Sequence, residues 1–282
     1  MILRQLIHIE RAALPKNSRY FLPALLAALG IALFWFFLRP LKTPPVQPVQ
    51  SSDVCAGKVF EGVSYIVCAV DSAKYDIRLS RLQTDGTPYR SLARLLETAK
   101  GGGMPFIFAM NAGMYHEDLS PVGLYVEEGK EQAMLQSGEG EGNFFLKPNG
   151  VFFVTAAGKA GVLTTEDYAA EKPAAWFATQ SGPMLVINGA PHPKFEENGA
   201  SRFIRNGVGL RADGTAVFAI SRTEVSFGSF ARLFRDALEC PNALYFDGVV
   251  SAFSDGDSTL VGGGYPAGPI ILVRKKEAAA TQ

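Results

Sequence analysis

The sequence predicts an α+β domain of mixed, mainly antiparallel sheet with a few helices, preceded by one N-terminal transmembrane helix. Two or three segments have helical periodicity, whereas ten or more short apolar runs are separated by turn residues. A third observation is the uncharged run 20–38, whose nineteen residues can cross a hydrocarbon core of about 30 Å. We therefore divide the chain into a cytoplasmic N-terminus (1–19), a transmembrane signal anchor (20–38), a Pro-rich linker (39–52), one domain (53–275) and a disordered tail (276–282).

The charges beside the apolar run predict its orientation. Four basic residues precede the run and two follow it: Arg4, Arg11, Lys16 and Arg19, then Arg39 and Lys42. Because basic residues concentrate on the cytoplasmic side, we expect a single-pass protein of the inner membrane, with a cytoplasmic N-terminus and a periplasmic or otherwise extracytoplasmic domain. A cleaved signal peptide is the alternative. No small-x-small cleavage site follows the run, which favours an uncleaved anchor in the lipid bilayer.

Charge and motif content narrow the function classes of the domain. Residues 1–42 hold six of the 27 basic side chains and one of the 27 acidic ones, which leaves 21 basic and 26 acidic groups beyond them. This mildly acidic part has no basic run, so we predict no nucleic-acid partner. The chain lacks a G-x-S-x-G elbow, a phosphate-binding P-loop and an H-E-x-x-H motif. It has only three histidines, and Asp255-Gly-Asp257 is typical of a plain turn, so we predict no metal and no cofactor.

Two of the three cysteines are placed symmetrically about a predicted turn. Cys55 and Cys68 flank a hairpin that turns at Glu61-Gly62, and this register puts the two cysteines opposite each other. Facing positions on paired strands are about 4.5 to 5.5 Å apart, which is within reach of a disulfide. An oxidising compartment allows that bond. Cys240 is predicted to pack as a buried free thiol.

Further elements follow along the domain. We expect a strand at 76–82, a helix at 91–100 closed by three glycines, a central strand at 105–110, a brief helix at 165–171 and a last strand at 268–273. Turn residues between alternating apolar runs predict hairpins at Glu128-Gly129, Asn149-Gly150 and Asp213-Gly214.

The stretch 226–251 joins a helix to a strand that ends on a carboxylate. Ser226 is a favourable N-cap, apolar residues follow it at helical spacing, and Pro241 ends the helix. The run 243–246 predicts a buried strand, and Asp247-Gly248 follows it directly. A carboxylate beside a glycine at the end of a buried strand is a common way to build a site. A turn aspartate explains the fragment equally well.

Three other groups of polar residues also lie at Gly-rich strand ends. The three groups are Asn111 and His116; Gln180, Ser181 and Gly182; and Arg202, Arg205 and Asn206. Gly248 and Ser251 form the fourth group, around Asp247. Gly-rich strand ends let backbone N–H groups and side chains converge on an anion. Each group alone is compatible with a turn or a surface charge. Four such groups after separate predicted strands favour a site.

Several phrases of the sequence resemble one known family. They are FAMNAGMYHEDLSPVGLYVEEGK, NFFLKPNGVFF, TQSGPMLVINGAPHP, RNGVGL and the ALYFDG ending. Together they resemble the phosphodiester glycosidase family, in particular its exported bacterial branch, and the resemblance runs from about Cys55 to Val273. It implies the family's fold and a hydrolase that cleaves sugar-1-phosphodiester bonds, here in envelope or extracellular glycans. One departure is that Asp247-Gly248 continues with two valines, where the family often has glycine and serines.

The implied reaction suggests roles for the charged residues. Cleavage at the anomeric carbon develops positive charge on the sugar and negative charge on the phosphate. Guanidinium groups can hold phosphate oxygens through two-point contacts, and we expect Arg205 first and Arg202 second in that role. Asp247 is expected to stabilise the sugar cation or activate water. Glu224 is the alternative carboxylate.

The uncharged candidates have supporting roles in this hypothesis. Asn111 and Gln180 are expected to orient hydroxyls or water, and the remaining candidates, Ser181, Gly182, Asn206, Gly248 and Ser251, to contact the substrate. His116 is either a late proton donor or a structural histidine. His192, between two prolines, is assigned to a rigid loop.

Two other function classes remain open. A non-catalytic envelope-glycan binder is favoured by the departure at Val249-Val250. A metal-dependent phosphoesterase, which breaks the P–O bond, is disfavoured by the shortage of histidines and of tight acidic clusters. The sequence points to no particular protein partner.

Overall fold

Antiparallel pairing organises the whole domain. The computed structural model describes residues 52–102 and 104–276, and in this part of the chain seventeen strands form one sheet of seven strands and two sheets of five. Only a few helices accompany the sheets. The predicted single, mainly antiparallel α+β domain is therefore confirmed.

The strands in chain order are β1 (Cys55–Phe60), β2 (Val63–Val70), β3 (Tyr75–Ser80), β4 (Phe108–Asn111), β5 (Tyr125–Glu127), β6 (Lys130–Ala133), β7 (Gly150–Thr155), β8 (Ala160–Thr164), β9 (Ala175–Ser181), β10 (Met184–Ile187), β11 (Ala190–Pro191), β12 (Asn206–Leu210), β13 (Ala216–Ser221), β14 (Asn242–Asp247), β15 (Phe253–Ser254), β16 (Thr259–Val261) and β17 (Ile270–Lys275). The sheet orders are β1-β2-β13-β12-β14-β10-β11, β16-β15-β4-β17-β3 and β6-β5-β9-β7-β8. The helices are α1 (Leu92–Gly102), α2 (Thr165–Glu171) and α3 (Phe227–Arg232), with a 3₁₀ turn at Asn143–Phe145 and a π-helical turn at Leu233–Ala237.

The three sheets meet at Phe218, a buried residue of β13. Its ring centroid lies 5.4 Å from that of Phe108 on β4 and 5.6 Å from that of Phe152 on β7, in tilted and edge-to-face contacts. Phe108 and Phe152 belong to the second and third sheets, and both are buried. Aromatic rings prefer such geometries. One apolar core therefore connects all three sheets and holds their strand ends in place.

The first hairpin has the predicted register. Cys55 is paired with Cys68 and Phe60 with Val63, so the turn falls on Glu61-Gly62. A disulfide joins Cys55 to Cys68 across a Cα–Cα distance of 4.0 Å, as predicted. Both cysteines are buried, so the disulfide is part of the core.

The tip of that hairpin is tied to α3 by an ion pair. Arg232 donates from Nε and Nη2 to the two carboxylate oxygens of Glu61, at 2.7 and 2.8 Å. These hydrogen bonds lower the pKa of Glu61. Arg232 also donates from Nη1 to the carbonyl of Glu197 at 2.7 Å. The contact joins an edge hairpin to the helical layer.

Helix α3 packs on the face of the seven-stranded sheet that is opposite to Phe218. The Oγ of Ser226 accepts the N–H of Ser229 at 3.2 Å, which confirms the predicted cap. Phe230 and Phe234 are buried and pack edge to face. Cys240 is a buried free thiol, as predicted, and burial raises its pKa to about 12.

Some predicted boundaries are wrong. Asn149-Gly150 is not a hairpin turn, because Gly150 opens β7 and the side chain of Asn149 bonds elsewhere: it donates to the carbonyl of Phe144 at 2.9 Å and accepts from Thr165 Oγ1 at 2.8 Å. The hairpin between β7 and β8 turns at 156–159 instead. The central strand begins at Phe108 rather than at 105, and α1 runs on to Gly102.

The predicted anchor at 20–38, the linker residues 39–51 and the tail residues 277–282 lie outside the described residues. Among the helices of residues 52–102 and 104–276, none combines the length and apolar character needed to span a bilayer.

The disulfide generates the first prediction. In the full-length protein, alkylated in intact cells before lysis, mass spectrometry should find Cys55 linked to Cys68 and Cys240 free. Replacing both cysteines by serine should lower the free energy of unfolding by up to about 3 kcal/mol, because the loop closed by the bond is short. Recovering Cys55 and Cys68 as alkylated thiols from intact cells would contradict the disulfide and the export that allows it.

Candidate functional site

Four strand ends that carry predicted site residues converge in the fold. Asn111 ends β4, Ser181 ends β9 and Asp247 ends β14, while Asn206 begins β12. The sheet register places Asn206 opposite Asp247, with an irregularity between Asn206 and Gly207. The Oγ of Ser181 donates to the carbonyl of Phe246 at 3.2 Å. The three sheets therefore bring their polar ends to one place.

Asn206 connects two of the sheets through its side chain. Its Nδ2 donates to the backbone carbonyl of Asn111 at 2.8 Å and to Asn111 Oδ1 at 3.0 Å. Its Oδ1 accepts from the N–H of Asp247 at 3.1 Å and from Ser251 Oγ at 3.2 Å. We call Asn111, Asn206, Asp247 and Ser251 the strand-end cluster. Both asparagines of the cluster are fully buried.

Asn111 supports the loop after Asp247 as well. Its Oδ1 accepts the N–H of Ala252 at 2.8 Å. The single O–H of Ser251 is shared between the carbonyl of Asp247, at 2.9 Å, and Asn206 Oδ1, so the loop is fixed at both of its ends. The Nδ2 of Asn111 is buried and has no hydrogen-bond partner among the residues that the structure describes. Within the described residues it is the one buried side-chain nitrogen of the strand-end cluster that lacks a partner.

Asp247 presents one bonded and one unbonded carboxylate oxygen. Its Oδ1 accepts three backbone N–H groups, from Gly248, Val249 and Val250, at 2.6, 2.8 and 3.1 Å. In the described part of the chain no hydrogen bond reaches Oδ2. Burial raises the pKa of Asp247, although the three N–H groups and Arg205 oppose that shift. The side chain therefore shapes the loop and still retains an oxygen for chemistry.

Arg205 places a buried positive charge beside Asp247. Its guanidinium lies 3.6 Å from the ring centroid of Phe227, within cation–π distance. Nε donates to the carbonyl of Val225 at 2.9 Å, Nη1 donates to Tyr245 Oη at 3.2 Å, and Nη2 donates to the carbonyl of Ser201 at 2.9 Å. No carboxylate among the described residues forms a salt bridge with it. Burial lowers its pKa, and Asp247 acts in the opposite direction.

This geometry corrects the role expected of Arg205. A two-point contact with a phosphate needs two free N–H groups on one edge of the fork. Nε and Nη2 are already bonded, and only Nη1 retains an N–H. In this arrangement Arg205 can supply its charge and at most one direct contact.

Position 248 requires glycine because neighbouring side chains leave no room for a Cβ, and not because the backbone has a positive φ there. A Cβ at this position would lie 2.4 Å from Tyr245 Oη and 3.5 Å from Arg205 Nη1. It would also lie 3.2 Å from the Cβ of Phe203. Gly248 therefore lets the phenol, the guanidinium and Phe203 meet next to Asp247.

Two tyrosines beside Asp247 were missed by the sequence reasoning. Burial raises the pKa of Tyr245, with a contribution from Asp247. Burial and Asp247 also raise the pKa of Tyr115, to about 12, and its hydroxyl donates to the carbonyl of Pro266. A signal for Tyr245 was present, because residues two apart on a strand share a face. Nothing local in the sequence links Tyr115 to Asp247.

The predicted residues of the Gln180 group have structural partners. Gln180 Oε1 accepts the N–H groups of Leu124 and Gln136 at 3.0 and 2.9 Å, while Nε2 donates to the carbonyl of Gln136 and to Thr165 Oγ1. These four bonds use the hydrogen-bonding capacity of the amide in this arrangement, and the expected role of Gln180 in orienting substrate or water stays a prediction. Gly182 packs against the carbonyl of Phe144, where a Cβ would lie 2.6 Å from the oxygen.

The other predicted candidates lie at the periphery. Arg202 is exposed and donates to the backbone carbonyl of Glu224 at 3.1 Å. Glu224 itself is exposed, and His116 is exposed in a turn where its N–H bonds the carbonyl of Ser120. His192 is buried, and its ring stacks on Phe195 with a centroid distance of 4.8 Å. The fold brings none of these side chains into a hydrogen bond with the strand-end cluster among the described residues.

A large surface cavity lies elsewhere. It has a volume of about 600 Å³ and is lined by the connection between β2 and β3, at 71–73, and by residues of two hairpins, at 157–160 and 212–215. The last turn follows Leu210, which is at the opposite end of β12 from Asn206. We therefore place the candidate site by its chemistry and not by cavity size. In residues 52–102 and 104–276 no three His, Cys, Asp or Glu side chains group as metal ligands.

The chain is similar to known proteins over the region that holds the strand-end cluster. The family model described as phosphodiester glycosidase matches residues 105–259. The "Uncharacterized protein YigE" of Escherichia coli K12 is 37% identical over 194 residues, which are 69% of this chain and 75% of that protein.

Solved structures share the fold at low identity. The catalytic domain of zebrafish N-acetylglucosamine-1-phosphodiester alpha-N-acetylglucosaminidase, auto-inhibited by its pro-peptide, aligns with a TM-score of 0.56 and 13% identity over 82% of this chain and 87% of that chain. A hypothetical protein from Synechocystis aligns with a TM-score of 0.54 and 12% identity, over 83% of this chain and 64% of that one. A putative exported protein from Burkholderia pseudomallei has a TM-score of 0.51 and 11% identity, over 75% and 74%. These likenesses concern the fold.

The strand-end cluster generates the second prediction. Asn206→Ala should lower the free energy of unfolding by about 2 to 4 kcal/mol, since it removes four hydrogen bonds to Asn111, Asp247 and Ser251 that are buried or partly buried. The matched control is Asn242→Ala, on the neighbouring strand, whose side chain accepts a single exposed hydrogen bond from Asn188. Urea unfolding measures both. Equal destabilisation by the two substitutions would show that the cluster does not hold the sheets together.

Proposed function

Because the chain belongs to the phosphodiester glycosidase family, we propose that it hydrolyses the bond between the anomeric carbon of a sugar and an attached phosphodiester, in an envelope or extracellular glycan. The observation that carries this proposal is the pairing of an ionisable carboxylate, Asp247, with a buried cation, Arg205, that has no carboxylate in salt-bridge contact among the described residues. The reaction needs both signs of charge at neighbouring points.

The bond changes define what the site must do. The oxygen of water bonds to the anomeric carbon, and the bond from that carbon to the phosphate oxygen breaks with its electron pair on the phosphate. One proton of the water passes to the protein or to the departing phosphomonoester. A phosphate leaves without full protonation, so a strong general acid is less necessary than in ordinary glycosidases. Stabilisation of the two developing charges is the main requirement.

Asp247 can stabilise the positive charge that develops on the sugar. Three backbone N–H groups fix Oδ1, so the orientation of Oδ2 is set before substrate binds. Oδ2 stabilises the oxocarbenium-like carbon or accepts the proton of the attacking water. The two valines that depart from the family pattern contribute through their N–H groups, which their side chains do not alter.

Arg205 can stabilise the negative charge that develops on the phosphate. Leaving a buried cation without an anionic partner is costly, and a bound phosphodiester supplies that partner. Phe227 and the carbonyls of Val225 and Ser201 hold the guanidinium in place, so the charge needs no rearrangement during the reaction. Nη1, which lies near Tyr245 and Gly248, retains one N–H, but Arg205 is fully buried, so it acts on the phosphate chiefly through its charge.

We propose that this activity lies outside the cytoplasm. The uncharged run 20–38 and the lack of a small-x-small site after it support an uncleaved anchor in the inner membrane, and the charges beside the run support a domain on the extracytoplasmic side. The Cys55–Cys68 bond supports an oxidising compartment. The redox state of these cysteines in intact cells therefore also tests export.

The third prediction is that Asp247→Asn removes the charge that catalysis needs but keeps the structure of the loop. The amide oxygen of Asn can still accept the loop N–H groups, so the loop should survive while kcat/KM on a sugar-1-phosphodiester falls by about 10²- to 10⁴-fold. Because burial raises the pKa of Asp247 above its unfolded value, the ionised side chain costs stability at neutral pH, and this cost disappears as pH falls through the folded pKa. The variant should therefore melt no lower than wild type at pH 7.

The control is Asp213→Asn, in the turn between β12 and β13. Asp213 also precedes a glycine and accepts one loop N–H, from Thr215 at 2.9 Å, but it is exposed at the far end of the sheet. The Asp213→Asn variant should leave kcat/KM unchanged.

The pH dependence of wild type tests the same assignment. Activity should be lost on the acid side at a pH above the ordinary aspartate range, because only ionised Asp247 is active and burial raises its pKa. A folded Asp247→Asn variant with near wild-type kcat/KM would make Asp247 a structural residue and refute its catalytic role.

A further inference from the structure

An exposed aromatic side chain stands beside the candidate carboxylate. Phe203 has 41% of its surface exposed, whereas most phenylalanines of the described residues are buried. Its backbone is fixed by two hydrogen bonds to Val225, at 3.2 and 2.8 Å. Its Cβ lies 3.2 Å from the point where a Cβ on Gly248 would be. The ring is therefore held on a rigid backbone next to Asp247.

A second exposed apolar residue follows the glycine that Phe203 approaches. Val249, directly after Gly248, is 64% exposed. The guanidinium carbon of Arg205 lies 5.5 Å from the centroid of the Phe203 ring. We call Phe203 and Val249 the apolar ledge. An exposed apolar surface that adjoins buried ionised groups is characteristic of ligand sites, since the core of this fold does not need it.

We propose that the apolar ledge is the platform on which the sugar ring of the substrate packs, with Phe203 as the residue that decides affinity for that ring. This inference rests on the proposed function and names the sugar-binding part of the same site. A pyranose has one face of C–H groups, which packs on a planar apolar ring, and hydroxyls at its edge that remain in water. Its anomeric carbon then lies toward Asp247, and its phosphate toward the free N–H of Arg205.

The local chemistry favours a sugar phosphate over another apolar ligand. A purely apolar ligand leaves the charges of Asp247 and Arg205 without a counterpart. A free phosphate uses the cation but not the ledge. A glycosyl phosphodiester has both an apolar face and a negative charge, joined at the carbon that the reaction attacks.

The test compares three Phe203 variants of the full chain in detergent. With p-nitrophenyl phosphodiesters of α-N-acetylglucosamine-1-phosphate and of α-glucose-1-phosphate, Phe203→Ala should raise KM about tenfold and leave kcat nearly unchanged, since packing that is equal in ground and transition states affects KM alone. Phe203→Trp should retain the wild-type KM, because a larger planar ring still packs on the sugar. Phe203→Leu should fall between them.

The control is Trp176→Ala. Trp176 is also partly exposed, at 43%, but it lies five positions before Ser181 on β9, roughly 17 Å along the strand from the site. This variant should leave both KM and kcat unchanged. A KM unaltered in Phe203→Ala while wild type turns the diesters over would overturn the ledge and leave the proposed function standing.

A second readout does not need turnover. In Phe203→Trp the new indole should change its fluorescence when the methyl phosphodiester of α-N-acetylglucosamine-1-phosphate or of α-glucose-1-phosphate is added, with wild-type protein, which holds Trp35 and Trp176, as the blank. A change without hydrolysis by wild type would support the ledge and count against the proposed reaction. No change with either diester, whether or not hydrolysis occurs, would overturn the ledge.

Discussion

The side chain of Asn206 joins two sheets and the loop that holds the candidate carboxylate. It donates to Asn111 on β4 and accepts from the N–H of Asp247 and from Ser251, and all four of these contacts are at least partly buried. Satisfied polar groups in a core specify one arrangement, because any other arrangement leaves a buried donor or acceptor unpaired. The position of Asp247 relative to the second sheet therefore depends on one amide. The apolar core around Phe218 keeps the sheets together, whereas Asn206 determines their alignment at the site.

The second constraint is the burial of a positive charge. Arg205 has aromatic rings and carbonyl oxygens around it, and Gly248 leaves the space in which its Nη1, the hydroxyl of Tyr245 and Phe203 come together. Such an environment favours the binding of an anion, since an anion recovers part of the desolvation energy of the cation. The carboxylate of Asp247 lies close enough to act on the pKa of Arg205 without forming a salt bridge with it. The two charges remain separate, as a reaction that develops charge of both signs requires.

Local signals in the sequence predicted local structure, and tertiary contacts account for what they missed. The hairpin at Glu61-Gly62 and the disulfide beyond it follow from turn chemistry and strand register, which act within a few residues. Asn149 looked like a turn residue, but its side chain bonds the carbonyl of Phe144 and the hydroxyl of Thr165, and the contact with Thr165 spans 16 residues. Arg205 was expected after a strand, whereas it directly precedes β12, and its burial depends on Phe227 and Val225, whose approach no local pattern reveals. The contact between Asn111 and Asn206 spans 95 residues, so the sequence could suggest both amides but not their pairing.

The central claim concerns which bond the site breaks, and isotope labelling tests it directly. The protein is incubated with a sugar-1-phosphodiester in water enriched in ¹⁸O, and the phosphomonoester product is analysed by mass spectrometry. Attack at the anomeric carbon beside Asp247 predicts a phosphomonoester without ¹⁸O, since the oxygen from water goes to the sugar. Label in the phosphomonoester would show attack at phosphorus, and the absence of hydrolysis for a series of sugars would show a binding protein. Either result would contradict the account.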